Sequence, residues 1–169
     1  MQDNFKLITE GVLIIASSNS LKRKYKNEEF NYDFPDGISQ LIFDNSIIAI
    51  TNSGGDSLLV EFSMEKEVDI AEFDKVIEQS IELSENDELL ILSHAEFTMI
   101  CRKDGDFRND KCWPIKFSKS LENGKYLVQI AVMDVEEEFE KYNAYFKVDI
   151  NLKKISEELT TNFVCELCE

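Results

Sequence analysis

Histidine is nearly absent from this 169-residue chain; His94 is the only one. One imidazole excludes a paired-histidine metal site. A Ser-His-Asp triad would have to use His94, and the G-x-S-x-G turn that often presents such a serine does not occur. Neither G-x-G-x-x-G nor G-x-x-x-x-G-K-[ST] is present, so the common phosphate-cradling loops are missing. Glycine and proline are scarce, at 6 and 2 residues, which rules out collagen-like or proline-rich character. No apolar run approaches the roughly 20 residues that span a bilayer. Gly11-Val12-Leu13-Ile14-Ile15-Ala16 has the length of a strand. Met1-Gln2-Asp3-Asn4-Phe5-Lys6 lacks a basic region leading into a long apolar segment, so no secretory signal is read and a cytoplasmic location is expected.

Positive charge is also short. Eighteen Lys and Arg face 34 Asp and Glu, a net charge of −16. Phosphate affinity comes from a Lys/Arg footprint, so direct nucleic-acid binding is not expected. Forty-three per cent hydrophobic residues is too many for wholesale disorder. A chain of this size buries roughly 70% of its extended surface and needs no staple.

What is plentiful is alternation. Leu58, Val60, Phe62 and Met64 point one way along their segment, with Ser57, Glu61 and Ser63 pointing the other. The same period of two runs through Ile77–Leu83, Phe97–Cys101, Trp113–Phe117, Tyr126–Val132 and Ala144–Ile150. One apolar and one wet face is the antiparallel pattern. Leu41-Ile42-Phe43, Ile47-Ile48-Ala49-Ile50 and Leu89-Leu90-Ile91-Leu92 read as more fully buried strands, the first two joined through a hairpin at Asp44-Asn45. Turns are expected at 52–56, 85–87 and 122–125. Strands this short with turns this regular predict an all-β antiparallel sandwich, jelly-roll-like, of roughly eight to eleven strands. Its inward side chains are expected to be Val60, Phe62, Leu90, Leu92, Phe97, Met99, Tyr126, Val128, Ile130, Phe146 and Val148.

One short helix is expected near 69–77, with Asp69 as its cap and Glu72 at the reciprocal position. Residues 17–37 read as a long loop. The sandwich domain is assigned to 1–152 and a tail to 153–169. In that tail Ile155, Leu159, Phe163 and Leu167 have helical spacing, against which Thr160, Thr161 and Asn162 stand.

Several candidate constellations stand out. Cys165 and Cys168 have metal-knuckle spacing, and Cys101 with Cys112 would complete a four-cysteine zinc set. Cys101 and Cys112 are not themselves a second C-x-x-C pair, and Cys101 is in phase with a core face, so all four are read as thiols and no metal or other cofactor is expected. Asp104-Gly105-Asp106 opens a segment with calcium-like carboxylate spacing, but Asn109 and Ile115 occupy the positions where an EF-hand needs Gly and Glu. His94 is read as a turn residue and Lys22-Arg23-Lys24-Tyr25-Lys26 as internal neutralisation. Asp134-Val135-Glu136-Glu137-Glu138-Phe139-Glu140 places five carboxylates in seven residues between two strands. Like charges so close repel one another, which makes sense if a cationic partner neutralises them. Glu136, Glu137, Glu138 and Glu140, with Asp104 and Asp106, are therefore the candidate partner-binding residues. A second acidic region comprises Glu61, Glu65, Glu67, Asp69, Glu72 and Asp74.

Residues 57–133 carry a family resemblance. Its pieces are Val60-Glu61-Phe62, the passage Phe73–Ile81, Leu89-Leu90-Ile91-Leu92-Ser93 and Asn123-Gly124-Lys125-Tyr126-Leu127-Val128-Gln129-Ile130. The pattern resembles competence protein J-type nuclease inhibitors and the β-sandwich immunity proteins of bacterial toxin systems. That resemblance implies an acidic, non-enzymatic sandwich that blocks a partner enzyme such as a toxin or nuclease. Two other classes remain open on the residues alone: a hydrolase using two carboxylates in a groove, and an accessory module without chemistry. Two carboxylates converging in a deep, partly apolar pocket favour the hydrolase, and acids on a convex surface favour the inhibitor.

Overall fold

The computed structural model describes residues 3–26, 28–31, 34–52, 57–102 and 115–167. Two five-stranded sheets stack face to face. The first contains β1 (Asp3–Ile8), β4 (Ser57–Met64), β9 (Phe146–Ile155), β8 (Gly124–Asp134) and β5 (Lys75–Leu83), in that spatial order. The second contains β10 (Cys165–Glu166), β3 (Ile47–Thr51), β2 (Val12–Ser17), β6 (Glu88–Ser93) and β7 (Phe117–Ser120). Among the described residues ten strands fall within the expected range, but the sheets are mixed. β4 runs parallel to β9, and β10 runs parallel to β3. Alternation reports that one face is buried. It carries no information on the direction of the neighbouring strand, and the sandwich is mainly antiparallel, as expected, but not wholly so.

A third layer of helices covers the second sheet. Between β2 and β3 lie α1 (Ser18–Tyr25), a 3-10 turn at Asp36–Ile38 and α2 (Ser39–Phe43); α3 (His94–Arg102) follows β6. There are accordingly two cores. Between the sheets, Leu13, Ile15, Ile48, Ile50, Leu89 and Ile91 meet Val60, Phe62, Ile81, Tyr126, Val128, Ile130, Val148 and Ile150. Between the second sheet and the helices, Ile14, Ala16, Ile47, Ala49, Leu90 and Leu92 meet Leu21, Tyr25, Leu41, Ile42, Phe97 and Cys101. Burial on both faces explains why β2, β3 and β6 are unbroken apolar runs. Leu90 and Leu92 are thus buried as expected, but they face the helices and not the other sheet. Met99 and Phe146 are only partly buried.

The helices overturn three readings. The supposed loop at 17–37 begins as α1, whose N-terminal cap is Ser17: its Oγ accepts from the Ser20 N–H at 3.1 Å. Leu21 and Tyr25 face the core, and Lys22, Arg23 and Lys24 occupy the last turn, where cations suit the helix dipole. Residues 94–102 form no strand. Ser93 and Glu96 make a reciprocal capping box, with Ser93 N–H donating to Glu96 Oε2 at 2.8 Å and Glu96 N–H donating to Ser93 Oγ at 3.3 Å. Leu41-Ile42-Phe43 belongs to α2. Asn45, at φ 56°, ends that helix and does not turn a hairpin.

Near residue 69 the opposite error occurs. Asp69 does cap, accepting from the Ala71 N–H at 3.1 Å, but the element is a single 3-10 turn, Ile70–Glu72. From Lys75 the β-branched alternation wins and builds β5. The tail forms no helix among its described residues. It crosses from one sheet to the other and ends as β10.

Because β9 and β8 separate β4 from β5, the connection at 65–74 must cross the outer face of the first sheet. It is pinned there by Glu65 N–H to Leu152 O at 2.9 Å, by both amide atoms of Asn151 to the backbone of Lys66, and by Asp74 N–H to Val132 O at 2.9 Å.

Candidate functional site

The acidic segment is the connection between β8 and β9, at one end of the first sheet. Buried Val135 and fully buried Ala144 anchor its two ends. Val135 N–H donates to Tyr145 O at 2.9 Å, which closes the loop at its base. Between these anchors run a 3-10 turn, Glu136–Glu138, and a one-turn helix α4, Phe139–Tyr142. Asn143 ends α4 in the left-handed region, at φ 49°, which asparagine tolerates better than most residues. With only Val135 and Ala144 directed inward, Glu136, Glu137, Glu138 and Glu140 are all exposed.

Beside the loop lies a cavity of about 770 Å³, lined by Asp74, Lys75, Val132, Asp134, Val135, Glu136, Glu137, Glu138 and Leu167. The two acidic regions of the sequence therefore meet. Asp74, at the end of the crossing connection, accepts from the Asp134 N–H at 2.8 Å, and Asp134 accepts from the Glu136 N–H at 2.9 Å. Sequence spacing alone does not reveal this juxtaposition, because it depends on β5 pairing with β8. Glu140 is not among the lining residues, and Asp104 and Asp106 lie outside the described residues.

Asp74 and Asp134 are held by backbone N–H groups, and Glu138 by a cation. Lys141 Nζ sits 2.7 Å from Glu138 Oε2 and 4.4 Å from the centre of the Tyr142 ring. The Glu138 hydrogen bond is the main reason the Lys141 ammonium is held above its ordinary pKa. Among the described lining residues there is no serine, cysteine or histidine to serve as nucleophile or imidazole base. Among the described residues no group of three or more His, Cys, Asp or Glu side chains is gathered to hold a metal ion. Cys101 lies in the helix-facing core and Cys165 packs against the inter-sheet core, so these two members of the sequence-derived zinc set are not brought together. Burial pushes both thiols up from their ordinary pKa. Cys112 and Cys168 lie outside the described residues. His94 begins α3, with the Phe34 ring 6.1 Å away, and is no turn residue. Among the described residues no helix is long and apolar enough to cross a membrane.

The fold is similar to that of solved structures. The chain is similar to a protein described as crocagin biosynthetic gene J, at 12% identity and a TM-score of 0.59, over 89% of this chain and 96% of that one. It is also similar to ComJ from Bacillus subtilis, described as the inhibitor of the DNA-degrading activity of NucA. That match has 12% identity and a TM-score of 0.52, over 92% of this chain and 96% of ComJ. The chain thus has a ComJ-like fold. No family model and no curated protein matches it by sequence.

Proposed function

We propose that this protein is an acidic, non-catalytic inhibitor or immunity protein that neutralises a basic partner, a bacterial nuclease toxin. The observation that carries the reading is the likeness to a nuclease inhibitor over nearly the whole chain, joined to an acidic loop displayed on a rigid sheet end. A nuclease must attract phosphate, so its cleft carries positive charge. Exposed carboxylates compete for that charge and speed the encounter. In this reading Glu136, Glu137, Glu138 and Glu140, with Asp104 and Asp106, meet the partner's cations, and no cofactor takes part. The site of action is the cytoplasm, where the inhibitor protects the cell's own nucleic acid.

The test is affinity capture from the source cells, identification of the bound protein, and a DNA-degradation assay with that protein. A captured nuclease whose activity falls in proportion to added inhibitor supports the proposal. A captured protein without nuclease activity, or a nuclease unaffected at stoichiometric excess, contradicts it.

A further inference from the structure

Next to the acidic turn three large hydrophobic side chains reach the outer surface, beside Lys6 Nζ, which donates to Asn143 O at 3.2 Å. Phe139 is 37% exposed, Tyr145 38% and Ile8 61%, although all three are large hydrophobic side chains. The Phe139 and Tyr145 rings pack on each other with centres 5.0 Å apart. Ile8 lies opposite Ser57 in the β1–β4 register, and Ser57 O accepts from the Tyr145 N–H at 2.9 Å. Leu7 and Leu58 are fully buried, so alternation turns Ile8 and Ser57 outward. Ile8 on β1, Ser57 on β4 and Tyr145, the residue before β9, therefore form a row, with the small Ser57 in the middle and Phe139 packed on Tyr145. Of the four exposed glutamates, Glu138 and Glu140 flank Phe139 in the chain, whereas Glu136, Glu137 and Glu138 line the cavity shared with Asp74 and Lys75.

The patch already shows how it receives a cation. Lys141 lies between the Glu138 carboxylate and the Tyr142 ring, a pairing that combines an ion pair with a cation–π contact. Protein interfaces place aromatic side chains at the centre and charge around them, and the central groups control dissociation.

We infer that Ile8, Phe139, Tyr142 and Tyr145 form the apolar centre of an interface that takes an arginine- or lysine-bearing segment of a partner protein, one of whose cations displaces Lys141 from Glu138 and Tyr142. This rests on the reading of the chain as a binder of a cationic protein and adds the anchor residues to it. Glu138 and Glu140, on either side of Phe139 in the chain, supply the charge complementarity and repel nucleic acid.

The test uses the full chain and a fluorescein-labelled nona-arginine peptide, with binding followed by anisotropy and folding by circular dichroism. The double variant Phe139→Ala, Tyr145→Ala is expected to bind about tenfold more weakly, as loss of interface anchors does. Lys141→Ala is expected to bind more tightly than Lys153→Ala, an exposed lysine towards the far end of β9, although both remove one positive charge. Equal affinity of the double variant and the wild type, or equal gains from the two lysine variants, would overturn the inference. If the double variant misfolds, the lysine pair still decides. The nuclease assay separates the two proposals. A double variant that inhibits a captured nuclease as well as the wild type removes the patch and leaves the inhibitor. Peptide results as expected, with no nuclease inhibited by the wild type, leave the patch and remove the inhibitor.

Discussion

The side chain of Asn162 takes the place of a neighbouring strand for Ser80. Its Oδ1 accepts from the Ser80 N–H at 2.9 Å and its Nδ2 donates to Ser80 O at 2.7 Å. The same Nδ2 also donates to Ile47 O at 3.1 Å, which links β5 of one sheet to β3 of the other. Ser80 lies on the edge strand β5, whose unpaired backbone would otherwise invite another chain. The Phe163 N–H, donating to Gln79 Oε1 at 3.2 Å, continues this cover.

Asn162→Ala therefore removes a partner from three backbone groups, and leaves Ser80 O with the longer bond from Asn45 Nδ2, at 3.4 Å. Asn162 and Ser80 are both buried, so water does not simply replace it. A loss of about 2–3 kcal/mol is expected, the usual cost of leaving buried polar groups unsatisfied. Urea unfolding of the two proteins measures it, and a change below about 0.5 kcal/mol, typical of surface sites, would show that the edge is held otherwise.

Asp87 is a second buried hub. Its carboxylate accepts from Ser17 Oγ at 2.6 Å, Ser18 Oγ at 3.0 Å, Asn19 N–H at 2.9 Å and Ser84 N–H at 3.1 Å. It ties the β5–β6 turn to the start of α1. Asp87→Ala should cost about 3 kcal/mol, because several donors lose a charged acceptor at once. Thermal unfolding followed by circular dichroism tests this.

Asp149 behaves oppositely. It lies on the outer face of the first sheet, and burial is the main cause of its raised pKa; nearby Glu61 adds to it, while Lys147 and Lys66 pull it down. Because the folded-state pKa is the higher one, Asp149 favours the fold most below its unfolded pKa, and that contribution is lost as pH rises through the folded pKa. Asp149→Asn should raise stability at neutral pH and flatten the fall in stability that begins above about pH 4. Lys147 keeps Glu61 as a partner at 3.4 Å in that variant. Denaturant curves across the acid range give the sign.

In the core, Val128→Ala should cost about 2–3 kcal/mol, since Val128 is fully buried between the sheets. Phe146→Ala should cost less than a fully enclosed phenylalanine would, because Phe146 is only partly covered. Equal unfolding midpoints for Val128→Ala and the wild type would contradict the assigned strand phase.

How far the sequence speaks differs between elements. Val60, Phe62, Tyr126, Val128 and Ile130 alternate because one face of their sheet is wet, so β4 and β8 can be read directly. Strand direction leaves no such trace, and the parallel β4–β9 pair is invisible until the crossing at 65–74 is placed. Phe97, Met99 and Cys101 fit a period of two by coincidence. Ser93 and Glu96, a capping box, were the better signal for α3. Leu89–Leu92 looks the same whether it is covered by a second sheet or by helices. The acidic loop was legible as a charge run, whereas its meeting with Asp74 and its neighbours Ile8 and Tyr145 depends on pairing between distant strands.

The central claim is that the acidic loop steers a cationic protein. Its most direct test is the association rate of the captured partner with the wild type and with the variant Glu136→Gln, Glu137→Gln, Glu138→Gln, Glu140→Gln, measured by stopped flow at low and high salt. Exposed charges act over a Debye length of about 8–10 Å, so removing them should slow association at low salt and flatten its salt dependence while the fold survives. Equal rates and equal salt slopes for the two proteins would contradict the account and leave the loop as a solvated connection.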